Sequence, residues 1–401
     1  MDSIFCHRDP DGDVSDSGPL DGVRVAVQPN ISVQGWPADA GSTALENFTA
    51  LEDAGVIIRL REAGAVICGS TRMSEFGFGL NGSRAGEALT EKAADVEMVL
   101  DLMGEGRMAA AQAGICGFKA SYGLVSSLGL TGLIPSMESI GLLASDAGLI
   151  RETLTAVAGP DPLDFSQPDE PALDFSAPGI KPESTRIGII SEAADVPAAD
   201  VYNELHKTAE ELAQAGFSVQ ELSLADMDLF SLVHNIVGSV EASSCAGRYD
   251  SVRYGHREPG AKNWNQMFLR SRGASFGSLI KSYLFQGAYF QFERYQAYED
   301  ACRIRSRLVA DMEKLFKQVD FLLLPARTGS SRADPGSSLA DTYEQFAATL
   351  FANVSGQPVL YLPPAPGTNA FGCQLAGRRR SDPQLLALGE YVLNLRQGGN
   401  V

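Results

Sequence analysis

The chain has few of the residues that most often announce a function. Its six cysteines (Cys6, Cys68, Cys116, Cys245, Cys302 and Cys373) are scattered over 401 residues without a CxxC pair. That spacing excludes a disulfide framework and a zinc site, and such cysteines are expected as small buried apolar groups. Four histidines (His7, His206, His234, His256) show no HxxxH or HxH spacing, so no metal and no cofactor are expected. Positive charge is scarce: 32 Lys and Arg against 50 Asp and Glu give a net charge of −18. Nucleic-acid affinity comes largely from cations that displace phosphate counterions, so direct nucleic-acid binding by this chain alone is not expected. The run Arg378-Arg379-Arg380 reads as a solvated turn. No apolar run approaches the ~18–20 residues that span a bilayer. The opening MDSIFCHRDPDGDVSDSG lacks the charged-then-apolar order of a signal peptide, and a cytoplasmic, non-membrane protein is expected.

Hydrophobic content of 44% with 20% charged residues suits a chain that buries a large core. Leu20–Val27 alternates like a strand up to Pro29, and Thr43–Ala63 carries Leu45, Phe48, Leu51, Val56 and Leu60 at helical spacing. A short strand over Gly64–Cys68 follows. The order strand Arg186–Ser191, helix Ala198–Gln214, strand Phe217–Leu222 is the grammar of a sheet covered by helices. Gln291–Lys317 is the longest helical stretch and precedes an apolar strand at Asp320–Leu324. The fold class expected is α/β, a large mixed twisted sheet with helices on both faces. Residues 1–18 are expected as an acidic flexible segment and 19–401 as one domain. The Pro-, Asp- and Ser-rich stretch 159–182 reads as a linker or a surface excursion.

Two blocks carry a resemblance. Leu20–Ser42 reads LDGVRVAVQPNISVQGWPADAGS, and Asp101–Gly123 reads DLMGEGRMAAAQAGICGFKASYG. They resemble the opening and the TDTGGSIR…GxxGxKPTYG block of the amidase-signature family. The second half is most similar to the A subunits of glutamine-dependent Asp/Glu-tRNA amidotransferases. It carries EASSCAGRYDSVRYGHR at Glu241–Arg257, LRSRGASFGSLIKSYLFQG at Leu269–Gly287, NVSGQP at Asn353–Pro358 and GCQLAG at Gly372–Gly377. The resemblance runs from about Leu20 to the C-terminus and implies the amidase-signature fold, trimmed relative to the family.

It also implies a site, and the site is depleted. Gln28 stands where the family's AVKDN lysine would be the base, and Glu105 stands at the nucleophilic serine, with Arg107 on the family's arginine. A serine hydroxyl needs a base within hydrogen-bond reach, and a lysine of lowered pKa serves. An amide does not, and Glu105 is a carboxylate where a neutral hydroxyl is wanted. Met103 replaces one glycine of the turn whose N–H groups would form an oxyanion hole. The stretch between Met73 and Glu105 is too short for the family's GGSSGGSA-like loop. The residues that would bind the α-groups of glutamine become Ser282 or Tyr283, and Phe346. No catalytic residue is therefore expected intact, and the chain is read as a pseudoenzyme.

Glu105 reads either as a structural carboxylate, paired with Arg107 or capping a helix start, or as a repurposed general base. Asp101 orients the turn in the first reading and assists Glu105 in the second. Arg253 and Tyr254 are candidates to line the old pocket, with core packing the plain alternative for Tyr254. Ser121, Tyr122, Ser126 and Ser127 offer hydroxyls without a base and read as turn residues. Three functions follow from these readings. The first is a non-catalytic subunit or scaffold, partnered by amidotransferase B- and C-type subunits or an aminoacyl-tRNA synthetase. The second is an enzyme of altered chemistry centred on Glu105. The third is a small-molecule sensor using the remnant pocket.

Overall fold

The computed structural model describes residues 3–9, 12, 17–176, 179–194, 198–327, 338–365 and 371–397. Eleven strands form one sheet: β1 (Phe5–Arg8), β2 (Arg24–Val27), β3 (Val66–Thr71), β4 (Val96–Asp101), β5 (Cys116–Lys119), β6 (Ser139–Ala144), β7 (Arg186–Ile190), β8 (Ser218–Leu222), β9 (Phe321–Pro325), β10 (Val359–Leu362) and β11 (Cys373–Gly377). Their order is β1-β3-β2-β4-β6-β5-β10-β11-β9-β7-β8. Pairing is parallel for β3-β2-β4 and β9-β7-β8 and antiparallel elsewhere.

Both faces are covered because neighbouring strand residues point to opposite sides. Leu323, Leu360 and Leu375 join one apolar cluster with helices Gly55–Glu62, Ala147–Val157, Ala199–Gln214 and Asp382–Arg396. Their neighbours Leu322, Val359 and Ala376 join a second cluster with helices Asp228–Cys245, Ser278–Phe292 and Tyr295–Gln318. A sheet buried on both sides reads as near-continuous apolar runs, as in FLLLP of β9.

The structure departs from expectation in four places. Phe5–Arg8, within the stretch expected to be flexible, is an edge strand whose Phe5 is buried, as is Ile4 just before it. Thr43–Ala63 is not one helix. A short 3-10 turn (Thr43–Leu45) ends near Asn47, whose φ is +62°, and the helix begins only at Gly55. In the described part of 159–182, Phe175 is buried in the core, and Arg379 and Arg380 close on Glu170 at 2.7 and 2.9 Å. The arginine run is thus a paired turn rather than a solvated one. Of the cysteines, Cys68, Cys116 and Cys373 are buried as expected, whereas Cys6 is exposed and Cys245 and Cys302 are half-buried.

β2, β4 and β5 run in the same direction, since β6 lies antiparallel between the last two. Their C-terminal ends therefore bring Gln28, Asp101 and Lys119 to one edge of the sheet. A buried carboxylate within β4 ties the adjoining loop down. Glu97 accepts from the Thr71 hydroxyl and from the Gly86 N–H, both at 2.6 Å. Burial pushes Glu97 up from 4.5 to about 7. Its folded value lies above its unfolded one, so the folded protein holds the extra proton between these values and loses stability as pH rises through them. Glu97→Gln keeps the shape without the titration. The free-energy advantage of the variant over the parent should grow by about 3 kcal/mol between pH 4.5 and 7 and then level off. Urea unfolding at several pH values reads this directly, and a pH-independent difference would refute it.

Candidate functional site

β4 ends at Asp101, the chain turns through Leu102, Met103 and Gly104, and helix Glu105–Ala113 begins. Gly104 has φ +130°, and a Cβ there would collide with the Thr349 hydroxyl, so this position of the turn accepts only glycine. Thr349 in turn donates to the Met103 carbonyl at 2.6 Å. Met103 is itself fully buried and its side chain belongs to the core.

The Glu105 carboxylate folds back onto this turn. Its Oε2 accepts from the N–H groups of Met103 (2.7 Å), Leu102 (2.8 Å) and Gly104 (3.2 Å), while Oε1 accepts from the Gly79 N–H (3.1 Å). A cup of converging backbone N–H groups at a helix start is an anion site. Here the chain's own carboxylate fills it. Burial and the nearby Asp101 carboxylate push Glu105 up to about 7, against the pull of the backbone donors. Gln28, Ser74, Gly77, Gly79, Ser83 and Glu105 surround what space remains, about 10 Å³. That volume holds about one water molecule. Beside it the Asn30 side-chain amide is buried, and neither its oxygen nor its nitrogen has a partner among the described residues.

Beneath the turn lies an ion pair shut off from solvent. Arg107 is 1% exposed and grips Asp101 through Nε (3.2 Å) and Nη2 (3.0 Å). Its remaining N–H groups reach the Thr349 carbonyl, Gln374 Oε1 and Asn353 Oδ1 at 3.0, 3.1 and 2.6 Å. Asn353 returns its amide N–H groups to Asp101 and to the Met137 carbonyl. Burial alone would raise Asp101, but the Arg107 guanidinium and these bonds hold it below the usual carboxylate range.

A second buried chain leads away from the same turn. Tyr283 and Tyr343 share a hydroxyl contact of 3.0 Å, Tyr343 meets His234 Nδ1 at 2.9 Å, and His234 Nε2 meets the Leu102 carbonyl at 2.9 Å. A carbonyl only accepts, so Nε2 carries the proton and Nδ1 accepts from Tyr343. Burial drives His234 down to about 4, which keeps it neutral. At the end of β5, Lys119 is fully buried, donates to the Ala120 carbonyl (2.9 Å), and is pushed down to about 7 by burial and Arg107. Ser121 donates to the buried Asp382 carboxylate at 2.5 Å.

Of the residues singled out in the sequence, the structure brings Gln28 and Glu105 to one small cavity, with Asp101 and Arg107 directly beneath. Arg107 pairs with Asp101 and not with Glu105, because Glu105 is engaged by the backbone instead. Tyr283 is buried in the polar chain behind the turn, and Phe346 is core. Three candidates lie elsewhere. Ser282 is exposed and bonds back to Ser278 of its own helix. Arg253 is exposed and stacks 5.4 Å over the ring of Tyr254. Tyr254 packs half-buried against Phe48 and Tyr249. Ser121, Ser126 and Ser127, read as turn hydroxyls without a base, are each tied to an aspartate: Asp382, Asp161 and Asp164. Sequence reasoning missed Asn353, His234, Tyr343, Lys119 and Asp382. Lys119, a lone charge inside the apolar strand Cys116–Lys119, was the one with a local signal.

The family model described as Amidase matches residues 8–99 and 101–386. The A subunit of glutamyl-tRNA(Gln) amidotransferase from Natronomonas pharaonis is 32% identical over 409 residues, covering 94% of this chain and 96% of that protein. Its counterpart from Thermus thermophilus is also 32% identical, covering 92% and 83%. Among solved structures, the counterpart from Thermotoga maritima superposes with a TM-score of 0.78 at 20% identity, covering 96% of this chain and 85% of that one. A 6-aminohexanoate cyclic dimer hydrolase gives 0.79 at 18% identity, with 94% and 86% covered.

Proposed function

The chain belongs to the amidase-signature family, and from that premise we propose that it resembles an amidotransferase A subunit whose hydrolytic site is closed from within, and that it serves as a non-catalytic member of a complex. The observation that carries this reading is the Glu105 carboxylate seated on the N–H groups of Leu102, Met103 and Gly104, where an oxyanion would need them. The residual space of about 10 Å³ supports it, since no amino-acid substrate fits. Gln28 offers no base beside it. The buried groups that remain, Asp101, Arg107, Asn353 and Gln374, hold the turn to the helix that follows Thr349 and to β11, which is architecture rather than chemistry.

The partner expected is a B- or C-type amidotransferase subunit or an aminoacyl-tRNA synthetase. The relatives are named as one subunit of an amidotransferase, and this chain spans nearly the whole length of the Natronomonas protein. A net charge of −18 leaves tRNA binding to that partner. Tagged protein purified from its native cells through moderate salt should retain one of these partners in near-equal amount by mass spectrometry. A chain that emerges alone, or only with copies of itself, would sink the subunit reading.

A further inference from the structure

Each of the three turn N–H groups that hold Glu105 belongs to a peptide unit whose other end is bound as well. A trans peptide is planar, with its carbonyl and its N–H pointing in opposite directions, so a donor on the oxygen behind fixes where the N–H in front points. Asn353 Nδ2 donates to the Asp101 carbonyl at 3.0 Å, behind the Leu102 N–H. His234 Nε2 donates to the Leu102 carbonyl at 2.9 Å, behind the Met103 N–H. Thr349 Oγ1 donates to the Met103 carbonyl at 2.6 Å, behind the Gly104 N–H. These donors come from helix Asp228–Cys245 and from helix Leu350–Ser355 with its cap residue Thr349, and all three residues are buried.

The turn is thus held from behind by groups that do not depend on Glu105. Donors on the carbonyls also polarise the peptide units toward an anion in front of them. The fourth donor, the Gly79 N–H, comes from a separate loop and meets the other carboxylate oxygen. Both oxygens are therefore met by N–H groups, which an amide cannot match, because one of its two ends is itself a donor. The cavity beside the carboxylate and a wider cleft of about 860 Å³ share Ser83 and Ala85 as a wall, which puts the approach for a small ligand on that side.

Resting on the reading of a site closed by Glu105, we propose that Asn353, His234 and Thr349 are positioning residues that keep the three N–H groups converged without it, so that Glu105 is a tethered plug in a preformed carboxylate site. With the plug removed, the cup takes a free small carboxylate. The side-chain atoms that Glu105→Ala removes are those of acetate, which is therefore the probe.

Thermal melting of the full chain tests this at about pH 8, well above the pKa of a free carboxylic acid. Sodium acetate at about 100 mM should raise the melting midpoint of Glu105→Ala saturably, by about 2 °C beyond its effect on the parent, whose cup is filled. Acetamide should not. Added to Glu105→Ala, His234→Phe or Thr349→Val should abolish the acetate shift, whereas His234→Gln or Thr349→Ser, which keep a donor for the carbonyl, should retain it. Each shift is a difference within one variant, so a general loss of stability cancels. Glu105→Ala that folds only in acetate gives the same answer in a sharper form. Glu105→Ala that folds in neither salt would mean that the turn does not stand without Glu105, and the proposal falls. An acetate shift no larger than the parent's, an equal shift with acetamide, or a shift that survives His234→Phe or Thr349→Val would overturn it too. Ammonia release from glutamine by the parent would instead sink the closed-site reading, whatever acetate does.

Discussion

The protein should release no ammonia from glutamine or asparagine, and the double change Gln28→Lys with Glu105→Ser should not restore release. Removing a hydrolase's nucleophile or base typically costs on the order of 10⁶ in rate, and the proposed function has both absent here. Restoring them is insufficient for a structural reason. The short stretch between Met73 and Glu105 is occupied by four positive-φ glycines (Gly77, Gly79, Gly82, Gly86), the four-residue helix Glu87–Thr90 and β4. The serines it brings to the cavity are bound to its own backbone. Ser74 donates to the Gly79 carbonyl at 2.7 Å, which commits its proton to the backbone, and Ser83 accepts from the Ala85 N–H at 3.3 Å. The same reading leaves the substrate side without anchors. Ser282 is exposed on its helix, Tyr283 is locked to Tyr343, and Phe346 fills the core. A coupled ammonia assay reads the outcome. Release by the parent protein that vanished in Glu105→Ala would overturn the closed-site reading and make Glu105 a working group.

Arg107→Met should destabilise the fold by about 3–5 kcal/mol, as expected when one partner of a buried ion pair is removed. The loss strands the Asp101 carboxylate at 0% exposure and leaves the Thr349 carbonyl, Gln374 Oε1 and Asn353 Oδ1 without their donor. Asp101→Asn combined with Arg107→Met removes the stranded charge, so the double variant should be more stable than Arg107→Met alone. That ordering separates loss of charge pairing from simple loss of packing. Urea unfolding gives both numbers. A shift below about 1 kcal/mol for Arg107→Met would mean that the network does not hold the turn in place.

Three buried carboxylates near the site, Asp101, Glu97 and Glu105, differ for reasons visible in their partners. Asp101 faces a guanidinium and stays low. Glu97 and Glu105 meet only neutral donors, a hydroxyl and an N–H for the first and backbone N–H groups for the second, and burial lifts each to about 7. Neutral dipoles offset burial less than a full opposite charge does.

The sequence by itself determined the sheet-and-helix grammar, the elements between 186 and 222 and the strand near 320–325, and the family. The strand Arg186–Ile190, helix Ala199–Gln214 and strand Ser218–Leu222 fall almost where periodicity puts them, because that signal is local. Counting along a motif needs no third dimension, and it puts Gln28 and Glu105 at the positions that the proposed function reads as those of a base and a nucleophile. Sequence reasoning misread residues 43–63, where helical spacing was overridden by a turn, and the N-terminal segment, whose Phe5 finds its place only against β3. Only the tertiary structure decided what Glu105 does. Its partners are backbone N–H groups whose convergence depends on the path from β4 into the helix and on Thr349 pressed against Gly104. Only the tertiary structure could pair Arg107 with Asn353 and Gln374, residues 246 and 267 positions away, or set His234 against Leu102 across 132. Such contacts leave no periodic trace, because they arise where separate strands and helices meet rather than along any one of them.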